Sequence, residues 1–292
     1  MRLVLTLIAG AGAADILAGR AGTIAAAIGA AGPDWLAPGI ACDLIFEGDA
    51  AGAEAIARTE IGPAPIDCLV QPLAGRRKRV LVADMESTVI ENEMLDELAD
   101  FVGLRASVAE ITRRAMNGEL DFAAALAERV ALLKGLPVAV LDEAYDRVRL
   151  IPGAASLVAT MRAAGAETAL VSGGFAVFAD PVAARLGFAR VVCNRLDIAG
   201  GRIAGTVAAP LVTADTKRRT LIEIAEARHV ALADTLAVGD GANDLPMLMI
   251  AGLGIAFRAK PAVAGAARWR VDHGDLTALL YAQGYRGHEI VG

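Results

Sequence analysis

The feature that most constrains this chain is a series of short, mostly apolar runs that recur after residue 79 with helix-sized stretches between them. Val80-Leu81-Val82-Ala83 is followed by Thr168-Ala169-Leu170-Val171, Arg190-Val191-Val192-Cys193, Leu236-Ala237-Val238-Gly239 and Gly254-Ile255-Ala256-Phe257. A strand that carries apolar side chains on both faces must be covered on both, which happens when parallel strands are joined by helices that cross over the sheet. The expected fold class is therefore α/β, a doubly wound parallel sheet of Rossmann type. Between the first two runs, over about 92–150, Met94, Leu95, Leu98 and Val102 and then Phe122, Leu126, Val130 and Leu133 recur at helical spacing. Breaks at Gly103, Gly118 and Gly135-Leu136-Pro137 divide this stretch into short helices, inserted after the first strand of the sheet. Leu196–Ile203 alternates about Gly200-Gly201 and predicts a β-hairpin, and a last strand beyond Trp269 and a helix over Leu276–Gly284 complete the pattern.

Residues 1–75 have a different grain. They are rich in Ala and Gly and predict strand (Arg2–Ile8), helix (about 13–31), strand (about 39–46), helix (about 50–61) and strand (Ile66–Gln71), a small α/β N-terminal domain with no catalytic cluster. A hinge over Pro72–Lys78 leads into a second domain, 76–292, and a chain of 292 residues has room for both.

Charge and hydropathy exclude two classes of partner. A net charge of −6, with Arg76-Arg77-Lys78-Arg79 as the one basic run, leaves too few clustered cations to hold a nucleic-acid backbone. Mean hydropathy is high at +0.50, yet the longest apolar candidates, Ala21–Pro33 and Leu245–Phe257, are interrupted by Gly or Pro. They fall short of the ~18 residues of a membrane span, so no membrane residence is expected. The apolar start, Leu3–Ile8, is too short for a signal-peptide core and suits a first strand. Cys42, Cys68 and Cys193 form no C-x-x-C pair and fit a reducing, cytoplasmic setting. His229, His273 and His288 lack metal-ligand spacing.

Chemistry gathers where the strands end. The first apolar run stops at Asp84-Met85-Glu86-Ser87-Thr88, the next at Ser172-Gly173-Gly174, and the Leu236 run at Gly239-Asp240-Gly241-Ala242-Asn243-Asp244, while Asp215-Thr216-Lys217 opens a helix. In open α/β sheets ligands bind at the carboxyl ends of strands. Carboxylates, a lysine, a hydroxyl and glycine amides gathered there suit a hard divalent cation together with a phosphoryl group.

In that order the motifs resemble the four signatures of the haloacid dehalogenase (HAD) superfamily of phosphohydrolases. Asn92–Ala99, Ile111-Thr112 with Ala115–Glu119, and Glu128–Leu136 are similar to the cap of its phosphoserine phosphatase branch, and the likeness spans about 80–285. It implies a HAD-like sheet with a helical cap over 92–150, and residues 1–75 match the regulatory-type domain of bacterial members in size and element order alone. It also implies Mg²⁺ as cofactor, L-phosphoserine as the small-molecule substrate and an aspartyl-phosphate intermediate in the last step of serine biosynthesis. A homodimer is left open.

Carried over residue by residue, Asp84 is the nucleophile and Glu86 the general acid/base, with the Glu86 backbone carbonyl joining Asp84, Asp240 and Asp244 at the metal. Ser172, Gly173 and Lys217 hold the phosphoryl oxygens, with Asn243 in support. Glu93 faces the substrate ammonium and Arg129 its carboxylate, while Met116 and Phe122 serve either as lid or as cap core. One position departs from the pattern, because the family usually has Asp where this chain has Glu86. Two other readings stay open: a HAD phosphatase or phosphotransferase acting on another small phosphorylated amino acid or alcohol, and a non-catalytic sensor of a phosphorylated metabolite.

Overall fold

The protein's structure, a computed structural model, describes residues 1–116 and 119–292, apart from the side chains of Phe101, Ala115 and Met116. Its first part runs β1 (Arg2–Ala9), α1 (Ala14–Ala27), β2 (Pro33–Ala37), β3 (Ala41–Glu47), α2 (Ala50–Ile61) and β4 (Ile66–Pro72). The strands form an antiparallel sheet in the order β2-β3-β1-β4. Alternate residues Leu3, Leu5 and Leu7 of β1 pack with Leu17 and Ile24 of α1 and Ala53 and Ala57 of α2, as the two-residue period of a strand requires. Asp49 caps α2 by accepting the Ala51 and Gly52 amides.

Here the structure corrects the sequence reading in two details. The first helix, expected to residue 31, stops at Ala27, and Gly29 follows in the left-handed region (φ 74°). The sequence reading assigns no element between about 31 and 39, where pairing with β3 makes Pro33–Ala37 the strand β2.

The second part begins with β5 (Val80–Ala83) and passes through the inserted helices α3 (Met94–Phe101), α4 (Arg105–Met116), α5 (Phe122–Ala131) and α6 (Ala139–Tyr145). It returns through α7 (Ala154–Ala163), β6 (Glu167–Phe175), α8 (Ala176–Leu186) and β7 (Arg190–Asn194). The expected hairpin is β8 (Leu196–Ala199) with β9 (Arg202–Val207). The remainder is α9 (Ala214–Ala227), β10 (Thr235–Gly239), α10 (Leu245–Ile250), β11 (Leu253–Phe257), α11 (Pro261–Ala266), β12 (Trp269–Val271) and α12 (Ala278–Ala282).

Six of these strands form a parallel sheet in the order β12-β11-β10-β5-β6-β7. Leu81 and Ala83 join the core on one face and Val80 and Val82 the core on the other, so β5 is covered on both sides. Chain order reverses at β5, which lies between β6 and β10, and the carboxyl ends of these three strands therefore face one crevice.

The two sheets meet near the edge strands β4 and β12. The Trp269 indole donates to the Val70 carbonyl at 2.7 Å, and the Asp67 carboxylate accepts amides from Asp272, His273 and Gly274 at 2.7–3.2 Å. The segment expected as a hinge is tied down. Lys78 is buried, its Nζ donating to the Gly75 and Ala233 carbonyls at 2.8 Å each, and its amide donates to Gln283 Oε1 at 2.9 Å. The two connectors to the inserted helices run side by side, Ile90 bridging to Leu150 and the Asn92 side chain accepting the Arg149 amide at 2.9 Å.

Candidate active site

The crevice is built from strand ends outward. Asp84 follows directly on β5, and its carboxylate accepts the Met85 amide at 2.8 Å. The chain then turns through Ser87 with φ 54°, a left-handed conformation that a non-glycine residue adopts only when its surroundings hold it there. β10 delivers Asp240, and the loop after it brings back Asp244, whose Oδ2 accepts the Gly241 amide at 3.0 Å. A Cβ at Gly239 would fall 2.3 Å from Asp244 Cγ, so the strand must end in glycine for Asp244 to reach its place.

Lys217 comes from the first turn of α9, a helix started by a Thr213–Thr216 capping box. Its side chain is 1% exposed, and its Nζ lies 2.7 Å from both Asp84 Oδ1 and Asp244 Oδ1. Burial works against the ammonium charge, but the two carboxylates outweigh it and push the Lys217 pKa up. The lysine is thus a fixed cation.

One cation does not balance this floor. Ligand atoms of Asp84, Asp240 and Asp244, all buried, lie within 4.8 Å of one another. Burial and then the Asp84 charge push Asp244 up to about 7 and raise Asp240. Like charges so close in a desolvated site disfavour ionisation, and a hard divalent cation with oxygen ligands relieves them. The donor set therefore fits the expected metal.

A cavity of about 440 Å³ opens above the floor, lined by Asp84, Glu86, Asp240 and Asn243 below and by Glu93, Phe122 and Arg129 from the inserted helices. Arg129 is half-buried; its Nε donates to the Ala125 carbonyl at 3.3 Å, and among the described residues no carboxylate pairs with its guanidinium. Glu93 accepts the Ser87 hydroxyl at 2.8 Å, and burial raises its pKa. Phe122 is 44% exposed although large and apolar, its Cζ 3.7 Å from where a Cβ on Gly173 would stand. Glu86 lies at the joint of floor and roof, where its Oε1 accepts the Met94 amide at 2.9 Å; burial and the nearby Glu93 push it up to about 8.

The structure thus gathers at one cavity or directly beneath it every residue expected there except Met116, whose side chain lies outside the described residues. Ser172 is buried rather than cavity-lining, and its Oγ accepts the Gly174 amide at 2.9 Å. Lys217 and Asp244 likewise stand behind the cavity wall.

Sequence reasoning missed several contributors. Lys260 lines the cavity from the loop after β11, the same strand-end position that flagged the others. Thr88 reaches Asp240 at 3.4 Å. Asn194 ties the glycine loop down, donating to the Gly173 carbonyl at 2.7 Å and accepting the Val212 amide at 2.8 Å, and no local motif marks it.

The chain has relatives among known proteins. The haloacid dehalogenase-like hydrolase family model matches residues 81–249, and the chain belongs to that family. Within it, the chain is 42% identical over 233 residues to a phosphoserine phosphatase of Archaeoglobus fulgidus, covering 79% of this chain and 68% of that one. It is 43% identical over 203 residues to the phosphoserine phosphatase of Lactococcus lactis, covering 70% and 94% respectively. The crystal structure of a probable phosphoserine phosphatase from Vibrio cholerae superposes with a TM-score of 0.80 at 30% identity, over 99% of this chain and 88% of that one.

Proposed function

We propose that this protein is a Mg²⁺-dependent phosphoserine phosphatase, hydrolysing L-phosphoserine to L-serine and phosphate. One observation carries the reading: a buried Asp84–Asp240–Asp244 cluster with a single fixed lysine lies beneath a cavity that also holds a carboxylate and an arginine with no carboxylate partner among the described residues. The floor suits a metal and a phosphoryl group, and the roof suits a zwitterion.

Asp84 attacks phosphorus as the bond to the serine oxygen breaks, and that oxygen takes the Glu86 proton as it leaves. Glu86, now a carboxylate, accepts a proton from the water that attacks the aspartyl-phosphate. Phosphate departs, and Asp84 and protonated Glu86 are restored. Lys217 fixes the Asp84 carboxylate and offers positive charge to the phosphoryl oxygens, with Ser172, the Gly173 amide and Asn243 alongside. Asp84, Asp240, Asp244 and the Glu86 carbonyl are the groups that would hold Mg²⁺, which supplies Lewis-acid polarisation of the phosphoryl group when bound. Arg129 takes the substrate carboxylate in a two-pronged bond and Glu93 takes its ammonium, while Phe122 shields the cavity.

The same reading separates residues 1–75, with their own antiparallel sheet and apolar cluster, from a catalytic unit over 76–292 capped by about 92–150. It assigns the enzyme to the cytoplasm, in keeping with three unpaired cysteines. Phosphate release from L-phosphoserine with Mg²⁺ and with EDTA tests it. Release that depends on Mg²⁺ and exceeds that from neutral phosphomonoesters is expected; equal release from all, or none, overturns the substrate assignment.

A further inference from the structure

Glu86 raises a problem of reach. It carries one more carbon–carbon bond, about 1.5 Å, than the aspartate usual at this place. Two contacts account for where that length goes. On one side, Oε1 accepts the amide of Met94, the first residue of α3, at 2.9 Å. The N-cap residue of that helix, Glu93, makes no capping bond of its own, so Glu86 supplies the acceptor that the helix start lacks. On the other side, the carboxyl lies against Gly174 near the end of β6. A Cβ built there would stand 3.1 Å from Cδ, Oε1 and Oε2 of Glu86, and these are its three nearest atoms. The carboxyl therefore occupies a slot between the sheet and the first turn of the inserted helices.

We propose that Gly174 and the Met94 amide are a positioning pair for the Glu86 carboxyl, so that the acid/base group is in place only when α3 is seated on the sheet. This rests on the acid/base role proposed above for Glu86. The longer side chain serves as a tie between core and cap as well as a proton carrier. An aspartate would withdraw from the Met94 amide, and a methyl group at residue 174 would push the glutamate out of its slot.

A two-by-two set of variants, wild type, Gly174→Ala, Glu86→Asp and the double substitution, tests this with kcat and KM for L-phosphoserine and the burst of p-nitrophenolate from p-nitrophenyl phosphate. Gly174→Ala should lower kcat for L-phosphoserine by about tenfold and leave KM within about twofold. The burst, whose leaving group needs no proton, should change little. In the Glu86→Asp background the same alanine should cost less than about twofold, because the shorter carboxyl has left the slot. Equal fold losses in both backgrounds, an unaffected kcat, or an equally slowed burst overturns the proposal.

Hydrogen exchange gives a second readout that does not depend on Gly174→Ala folding. The Met94 amide should exchange faster in Glu86→Asp and stay protected in Glu86→Gln; unchanged protection in Glu86→Asp also overturns it. If the wild type ignores L-phosphoserine but turns over another phosphomonoester, the substrate assignment falls, and the same set is measured on that ester.

Discussion

The floor of the cavity and its roof are built on opposite principles. Below, Asp84, Asp244 and Lys217 are buried and locked by two 2.7 Å ion pairs, each carboxylate also accepting a backbone amide. Above, Phe122 is 44% exposed and Arg129 has no carboxylate partner among the described residues. Phosphoryl chemistry needs atoms fixed to fractions of an ångström, and a rigid, desolvated floor supplies that. Discrimination among leaving groups needs groups that remain unpaired until the substrate arrives, and the roof supplies those. Substitutions in the floor should therefore damage every substrate, and in places the fold, whereas substitutions in the roof should damage only some substrates.

The largest effect is expected at Asp84. Asp84→Asn keeps the shape but cannot attack phosphorus, and should cut kcat by more than about a hundredfold on L-phosphoserine and p-nitrophenyl phosphate alike. A thermal melt should show the fold retained. A variant active on either substrate would break the contrast at its base.

Lys217 comes next. In metal-free enzyme, Lys217→Met leaves Asp84 and Asp244 without their cation and should cost about 3–5 kcal/mol in denaturant unfolding, with part of the loss recovered on adding Mg²⁺. A stability unchanged by the substitution would mean that the carboxylates are already protonated or solvated and that the floor is not charge-locked.

Arg129→Ala should lower kcat/KM for L-phosphoserine by about 2 kcal/mol, the scale of charge-assisted hydrogen bonds, and hardly alter p-nitrophenyl phosphate, which has no carboxylate to hold. Unfolding free energy should move by less than about 0.5 kcal/mol. Equal losses on both substrates would move Arg129 from roof to floor.

The smallest effect concerns three thiols that take no part in this contrast. Burial pushes Cys42 and Cys68 up to about 12 and Cys193 up to about 11, so all three stay protonated at pH 8 and should react with a disulfide reagent only slowly until the chain is unfolded. Rapid labelling of Cys42 or Cys68 in native protein would show that the first sheet opens.

How much of this was legible beforehand follows from the range of each signal. β5, β10 and β11 are apolar on both faces, and that pattern names a parallel sheet directly. The carboxylates and the lysine were legible because each stands at a strand or helix end. β2 was not, since it forms through its pairing with β3. Asn194 joins the site through tertiary placement alone, and the oddity of Glu86 makes sense only once the Met94 amide and the bare Gly174 Cα are seen on either side of it. Sequence showed that the side chain was too long for the pattern, and the fold showed what it reaches.

The central claim is that Asp84 takes the phosphoryl group while Glu86 handles the proton. Glu86→Gln with p-nitrophenyl phosphate isolates it most directly, because the leaving group departs unaided while the water step loses its base. A burst of p-nitrophenolate is expected, followed by accumulation of a hydroxylamine-labile phosphoryl group on the peptide carrying Asp84. Label found on another residue, or a burst that leaves Asp84 unmodified, would contradict it.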